Sequence, residues 1–216
     1  RLAEMVESRR EEFIEALTVP ADQAISTAAA RREVDASVDR LVSMAGWCDK
    51  LHQVLGCQNA VAGPYHNFTV PEPCGTVLVL TPGAPGLIAA VTLAAAALVP
   101  GNRVVLLAPR SAAWPSILLA EAMAVSDVPP GAVNMLTGDV GELLEPLTGH
   151  REVAAVLAAG LTRSQCMTAR EAVADGIRRL HVSTLKGDAW FDDDVASPWF
   201  LEHAIEYKTM WHPAAT

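Results

Sequence analysis

From residue 75 onward the chain repeats one pattern: a short strand-like run, the first of them continuously apolar, a turn, then a segment of helical length. The runs are GTVLVL (75–80), VVLLA (104–108), AVNML (132–136), VAAVLAA (153–159) and LHVSTL (180–185). A strand that alternates polar and apolar residues wets one face, whereas an unbroken apolar run must be covered on both. The intervening segments 87–99, 114–126, 140–148 and 163–178 are long enough for crossover helices. Parallel strands need such crossovers, so the pattern predicts an α/β fold with a doubly wound, parallel, Rossmann-like sheet.

The balance of residues narrows the function classes. Of the 216 residues 51% are hydrophobic and 19% charged, which suits a globular core and not a disordered chain. Acids outnumber bases 25 to 16, giving a net charge of −9. Nucleic-acid and anionic-membrane surfaces need clustered Lys and Arg, and neither partner is expected here. The longest apolar stretch, Leu87 to Pro100, falls short of the roughly 20 residues of a bilayer span and reads as a buried helix. The opening RLAEMVESRREEF is charged and amphipathic, unlike a signal peptide, so a cytoplasmic protein is expected. Because residue 1 is Arg, further residues can precede it in the full gene.

Cys48, Cys57, Cys74 and Cys166 are too sparse for a disulfide scaffold, and none form a Cys-x-x-Cys pair. The histidines at 52, 66, 150, 181, 203 and 212 show no metal-ligand spacing, so no metal is expected.

Three segments are expected: N-terminal helices over 1–60, the Rossmann-like core over 61–185, and a docking tail over 186–216. Met5, Phe13, Ile14 and Leu17 mark a first amphipathic helix. A second runs through Val38, Leu41, Val42, Met44, Leu51 and Leu55, with Asp35, Asp39 and Arg40 on its polar side and Pro20 separating the pair. HNFTV, bracketed by Pro64 and Pro71, reads as an edge strand. In the tail, Asp192–Asp194 reads as a solvated loop with an N-cap. A short helix (198–206) and an oligomerisation-type strand (207–211) follow. Trp190, Trp199 and Trp211 crowd the last thirty residues, a density suited to a contact between chains or to internal packing.

The order of motifs carries a resemblance. VPEPCGTVLVLTPGAPGLIAAVTLAAAALVPGNRVVLLAP, then DVPPGAVNMLTG, then HREVAAVLAAG, resembles the cofactor-binding domain of the aldehyde dehydrogenase superfamily over roughly residues 30–160. The helix ASVDRLVSMAGWCDK is similar to that family's helix before its oligomerisation strand. The family's catalytic domain, with its cysteine nucleophile and Glu-Leu-Gly-Gly segment, has no counterpart here. The continuation to HAIEYKTMW is similar to the non-catalytic second half of two-module aldehyde dehydrogenases, so a truncated, degenerate member is expected.

The resemblance also implies where chemistry would sit. Aldehyde oxidation needs a thiolate, oxyanion donors, a general base and a bound nicotinamide. In the loop Thr81-Pro82-Gly83-Ala84-Pro85, Ala84 stands where active members carry the oxyanion Asn. Leu107 (or Ala108) stands at the ribose-binding Lys, and Arg110 replaces an acidic residue. Ser164-Gln165-Cys166 echoes a nucleophile motif but follows Gly160 too soon, so Cys166 is read as a buried helix cysteine. Gly160 is retained, while Gln165 occupies the second glycine of the phosphate turn. Gly138 and Gly141 read first as plain turns, though they would allow backbone to approach a ligand. Cofactor binding is therefore vestigial at best, at Pro82, Gly83, Gly138 and Gly160, and no cofactor is expected, NAD(P) being the one the resemblance would imply.

The leading expectation is a catalytically inactive subunit. It would self-associate or attach to an active, NAD(P)-dependent aldehyde dehydrogenase through segment 64–72 and the terminal strand. The alternatives are a nucleotide-sensing module with a remodelled cleft and an active oxidoreductase using Cys166.

Overall fold

The computed structural model describes residues 1–19 and 24–214. Helices α1 (Leu2–Ser8), α2 (Arg10–Thr18), α3 (Thr27–Ala45) and α4 (Leu51–Leu55) come first. Strands β1 (Cys57–Asn59) and β2 (Tyr65–Pro73) follow. The expected alternation then runs β3 (Thr76–Leu80), α5 (Gly86–Leu98), β4 (Arg103–Pro109), α6 (Ala113–Ala124), β5 (Val133–Gly138), α7 (Val140–Thr148), β6 (Val153–Ala159), α8 (Arg163–Asp175) and β7 (Arg179–Ser183). A short helix α9 (Pro198–Leu201) and strand β8 (Ile205–Pro213) end the described chain.

Five parallel strands form one sheet in the order β5-β4-β3-β6-β7. Its two faces pack against different helices, which is the doubly wound arrangement the apolar runs predict. Val77 and Val79 of β3 face a core shared with α1, α2, α3, α5 and α6. Leu78 and Leu80, the alternate residues, face a second core under α7 and α8. Period-two alternation within an all-apolar strand thus fills both layers.

Helix α5 has no polar face, and Gly86 through Ala97 are all buried. The sheet covers one side of it and α3 lies over the other. Its far end, Ala95 and Ala96, packs with Met44, Leu51, Leu55, Leu201 and Ile205 in a third cluster.

A second sheet is antiparallel, in the order β1-β2-β8. Here the expectations from sequence are corrected. Segment 66–70 is no edge strand: β2 is the central one. It tolerates Pro71 and Pro73 because β1 pairs only as far as Thr69, leaving one flank of β2 open beyond it. The terminal strand starts at Ile205, and the expected helix 198–206 shrinks to α9 and a 3-10 turn (Glu202–Ala204). The three-stranded sheet therefore draws one strand from each of the three segments expected from sequence.

The first N-terminal helix is broken at Arg9, whose guanidinium reaches both Glu12 (2.6 Å) and Glu121 (2.7 Å). Helix α3 begins eleven residues before Val38, behind an N-cap in which Ser26 accepts from the Ala29 amide. Pro20 lies outside the described residues. Arg40 is not on a polar face. It is buried, and its Nη2 donates to the carbonyls of Trp190 and Asp192, 3.0 Å each. The tail is pinned to α3 a second time by Trp47, whose Nε1 donates to the Ala196 carbonyl at 2.7 Å. The acidic run is exposed, and no aspartate side chain caps the turns that follow it. Trp190 is wholly buried, whereas Trp199 and Trp211 are exposed, so the tail tryptophans divide between internal packing and surface.

Asn102 ties these parts together. Its Oδ1 accepts from the Gly75 amide (2.9 Å), and its Nδ2 donates to Ala97 at the end of α5 and to Ala204 in the tail, 2.8 Å each. The side chain is buried, so each orphaned partner would carry a desolvation cost of about 1–3 kcal/mol. Replacing Asn102 by Ala is expected to lower stability by about 2–4 kcal/mol in urea unfolding and to loosen the tail first.

Candidate functional site

In an open α/β sheet, ligands bind outside the carboxyl ends of the strands. At that edge the structure has two neighbouring hollows. A crevice of 360 Å³ lies between the end of β4 (Pro109, Arg110, Ser111), the β5–α7 turn (Gly138 to Gly141) and Gln165 in the first turn of α8. A second cavity, of 330 Å³, lies on the opposite side of Ser111. Its walls include Gly83, Ala84, Pro85, Glu33 of α3 and Phe191 of the tail.

The crevice brings together Arg110, Gly138, Gly141 and Gln165, four of the positions singled out in the sequence. Its helix N-termini are occupied by the chain itself. Asp139 Oδ1 accepts from the amides of Gly141 (2.7 Å) and Glu142 (3.2 Å) at the start of α7. At α8, Thr162 Oγ1 accepts from the Gln165 amide (3.3 Å), and Gln165 Oε1 accepts from the Thr162 amide (2.9 Å). This reciprocal capping box engages two of the amides at the start of α8, those of Thr162 and Gln165. Arg110 is exposed and has no ion-pair partner among the described residues.

Leu107 and Ala108 lie outside both hollows. Each is wholly buried: Leu107 in the core under α7 and α8, Ala108 in the opposite one. Ala84 and Gly83 line the second cavity, and Pro82 packs on Gly160. Cys166 is half-buried on α8 and lines neither hollow. Its Sγ lies 4.0 Å from the Leu161 carbonyl of its own turn.

Two features had no legible signal in the sequence. Glu33, only 3% exposed, caps α5 from another helix: Oε1 accepts from the amides of Leu87 (2.7 Å) and Ile88 (3.2 Å). Burial pushes its carboxyl up, and the two amides pull it back down. The other is a stacked pair, His181 on β7 and His203 in the tail, with ring centroids 3.5 Å apart. Among the described residues no cluster of three or more His, Cys, Asp or Glu could hold a metal ion.

The aldehyde dehydrogenase family profile matches residues 1–184. The chain belongs to the aldehyde dehydrogenase family. Human cytosolic 10-formyltetrahydrofolate dehydrogenase is 31% identical over 157 residues, which is 71% of this chain and 17% of the relative. DhaS of Bacillus subtilis strain 168 is 27% identical over 162 residues, 75% of this chain and 32% of that protein. The chain therefore spans well under half the length of these curated relatives. Among solved structures, PnpE from Pseudomonas sp. WBC-3 superposes with a TM-score of 0.78 at 20% identity, covering 84% of this chain and 36% of PnpE. Betaine aldehyde dehydrogenase from Staphylococcus aureus, solved with NAD+, gives 0.77 at 21% identity, covering 84% and 35%. These likenesses bear on the fold. The family match ends where the tail begins, and no described helix is long and apolar enough to cross a membrane.

Gly160, at the end of β6, is the family-like turn residue with a measurable constraint. Its φ is +74°, and a Cβ there would sit 2.8 Å from Pro82 Cβ and 2.9 Å from Pro82 Cα. Gly160→Ala is expected to cost about 2–4 kcal/mol, from the left-handed backbone and the clash together, read by chemical denaturation.

Proposed function

We propose that this chain is a non-catalytic aldehyde dehydrogenase-family subunit whose contribution is association and not hydride transfer. The observation that carries this reading is the double capping at the crevice. Asp139 caps the α7 N-terminus and the Thr162–Gln165 box caps that of α8, so a pyrophosphate there would compete with both caps. Ala84 has no side-chain donor to offer an oxyanion, and Leu107 sits in core where the family resemblance places a lysine. The surface that would do the work is the outer edge of β8. Its exposed Tyr207, Met210 and Trp211 flank backbone that no described strand pairs on that side, a template for strand addition. A second copy, or a catalytically competent member of the same family, is the partner of matching architecture.

One observation favours a second reading. Arg110 is a free cation at the mouth of a crevice that also holds Gly138 and Gly141, which suits a nucleotide phosphate.

Calorimetric titration of the purified chain with NAD+ and NADP+ decides between the two. We expect no heat of binding. Saturable binding that Arg110→Ala abolishes would replace the first reading with the second. In light scattering, we expect an oligomer that Trp211→Lys converts to a smaller species at an unchanged melting temperature, because a lysine on an edge strand opposes strand addition. A parent that runs as a monomer and binds no family member would remove the association role.

A further inference from the structure

The C-terminal segment meets the edge strand β7 at one polar junction. His181 of β7 and His203 of the Glu202–Ala204 turn stack with ring planes 16° apart and centroids 3.5 Å apart. Phe200 stands edge-on to both rings, at 6.2 and 6.0 Å. Both rings line a 320 Å³ hollow that Arg179, Glu202, Ile205 and Tyr207 complete.

The surroundings favour uncharged rings. Arg179, two residues along the same strand, is cationic, but it is engaged by Glu206 (3.8 Å) and donates to the Ile205 carbonyl. Glu202 is engaged by the Tyr207 hydroxyl, which donates to it at 2.8 Å. The Cys74 thiol, nearby from the β2–β3 junction, donates to Ala204 at 3.4 Å and is held neutral by burial. On the neighbouring strand β6 the residue beside His181 is Leu157, which carries no charge. No carboxylate is within salt-bridge reach of either imidazole among the described residues; the charge of Glu202, next along the chain from His203, favours a protonated His203, but burial outweighs it.

We propose that the His181–His203 stack is a proton-sensitive clasp that holds the C-terminal segment against β7 while the rings are uncharged and releases it when both take up protons. A protonated ring can stack on a neutral one, but two like charges at this separation repel, so the pair titrates as a coupled unit. Burial, reinforced by His203, pushes His181 down to about 4, and burial lowers His203 as well. The sign follows. A histidine ordinarily near 6.5 and depressed in the closed form loses its stabilising effect as pH falls from 6.5 toward 4. For His181 alone, going from pH 7.5 to 5.0 raises the open-to-closed ratio roughly thirtyfold. The mechanical consequence is local. Ala204 and Ile205 follow His203 directly, so release moves the root of β8 and with it the three-stranded sheet. The clasp acts within one chain and does not depend on what docks at β8.

The test is hydrogen–deuterium exchange on the full chain at pH 7.5 and 5.0, corrected for the intrinsic pH dependence of exchange. We expect the peptide covering 198–213 to open roughly thirtyfold more at pH 5.0, with β3 protection unchanged. His181→Phe, which keeps an aromatic stack without a titratable group, is expected to flatten that pH dependence. His203→Phe serves the same purpose if the first variant does not fold. Equal tail protection at both pH values in the parent would overturn the clasp. So would a pH response surviving in the folded Phe variant, or loss of β3 protection in step with the tail.

Discussion

Helix α3 carries a stripe of polar groups into the core, and the arrangement of the molecule depends on the partners they reach. Burying a polar group without a hydrogen bond costs free energy, and of this stripe Nη1 of Arg40 is left without a partner among the described residues. Glu33 uses one carboxylate oxygen to cap the first turn of α5, which has no cap of its own because Pro85 precedes it. Two turns further along α3, Arg40 binds two tail carbonyls, and beyond the helix end Trp47 binds a third. Ser37, between them, closes its hydroxyl onto the Glu33 carbonyl at 2.7 Å. These contacts fix where α5 begins and where the tail lies, while apolar burial alone would fix only that both are covered.

That division of labour explains why the apolar helix α5 sits where it does. A helix apolar on every side gains by burial in any orientation, so its hydrophobicity cannot set its rotation or register. The directional bonds at its ends can. Glu33 holds the N-terminus, and Asn102 accepts from the Gly75 amide while donating to Ala97 near the C-terminus. The same Asn102 amide binds Ala204, so the helix, the sheet and the tail share one buried hub. The covering role that a further layer of structure could fill is here taken by residues of the tail, Trp190, Val195 and Ala204 among them.

The parallel sheet was legible because its three central strands, β3, β4 and β6, are local apolar runs whose meaning depends on no distant residue. The family resemblance added the order of the turns. What escaped reading depends on partners far along the chain. Strand β1 is three residues of Cys-Gln-Asn with no strand-like pattern, and it exists because β2 offers it a flank. The central place of β2 is set by β8, some 140 residues away, against its own prolines. Arg40 and Glu33 look like surface charges in an amphipathic pattern, since nothing local tells a solvated charge from one whose partners are backbone amides or carbonyls elsewhere. Of the candidate site, the positions Arg110, Gly138, Gly141 and Gln165 were legible. The capping of α7 and α8 by Asp139 and Thr162 required the helix starts to be known, and the histidine stack required the tail to be folded back.

The capped helix ends and the core position of Leu107 bear on one another. A helix N-terminus that binds phosphate through its amides must leave them open in the absence of ligand, at a cost in stability of about 0.5–2 kcal/mol per missing cap. A lysine at the end of a central strand adds a desolvation cost that only a bound ribose or phosphate offsets. Here both costs are absent: α7 and α8 are capped by their own side chains, and position 107 is apolar and wholly buried. Each feature stabilises the unliganded fold, and on the reading proposed above each also withholds a contact that a dinucleotide would use. Arg110, which has no ion-pair partner among the described residues, is exposed beside this crevice, where holding a cation in water costs little.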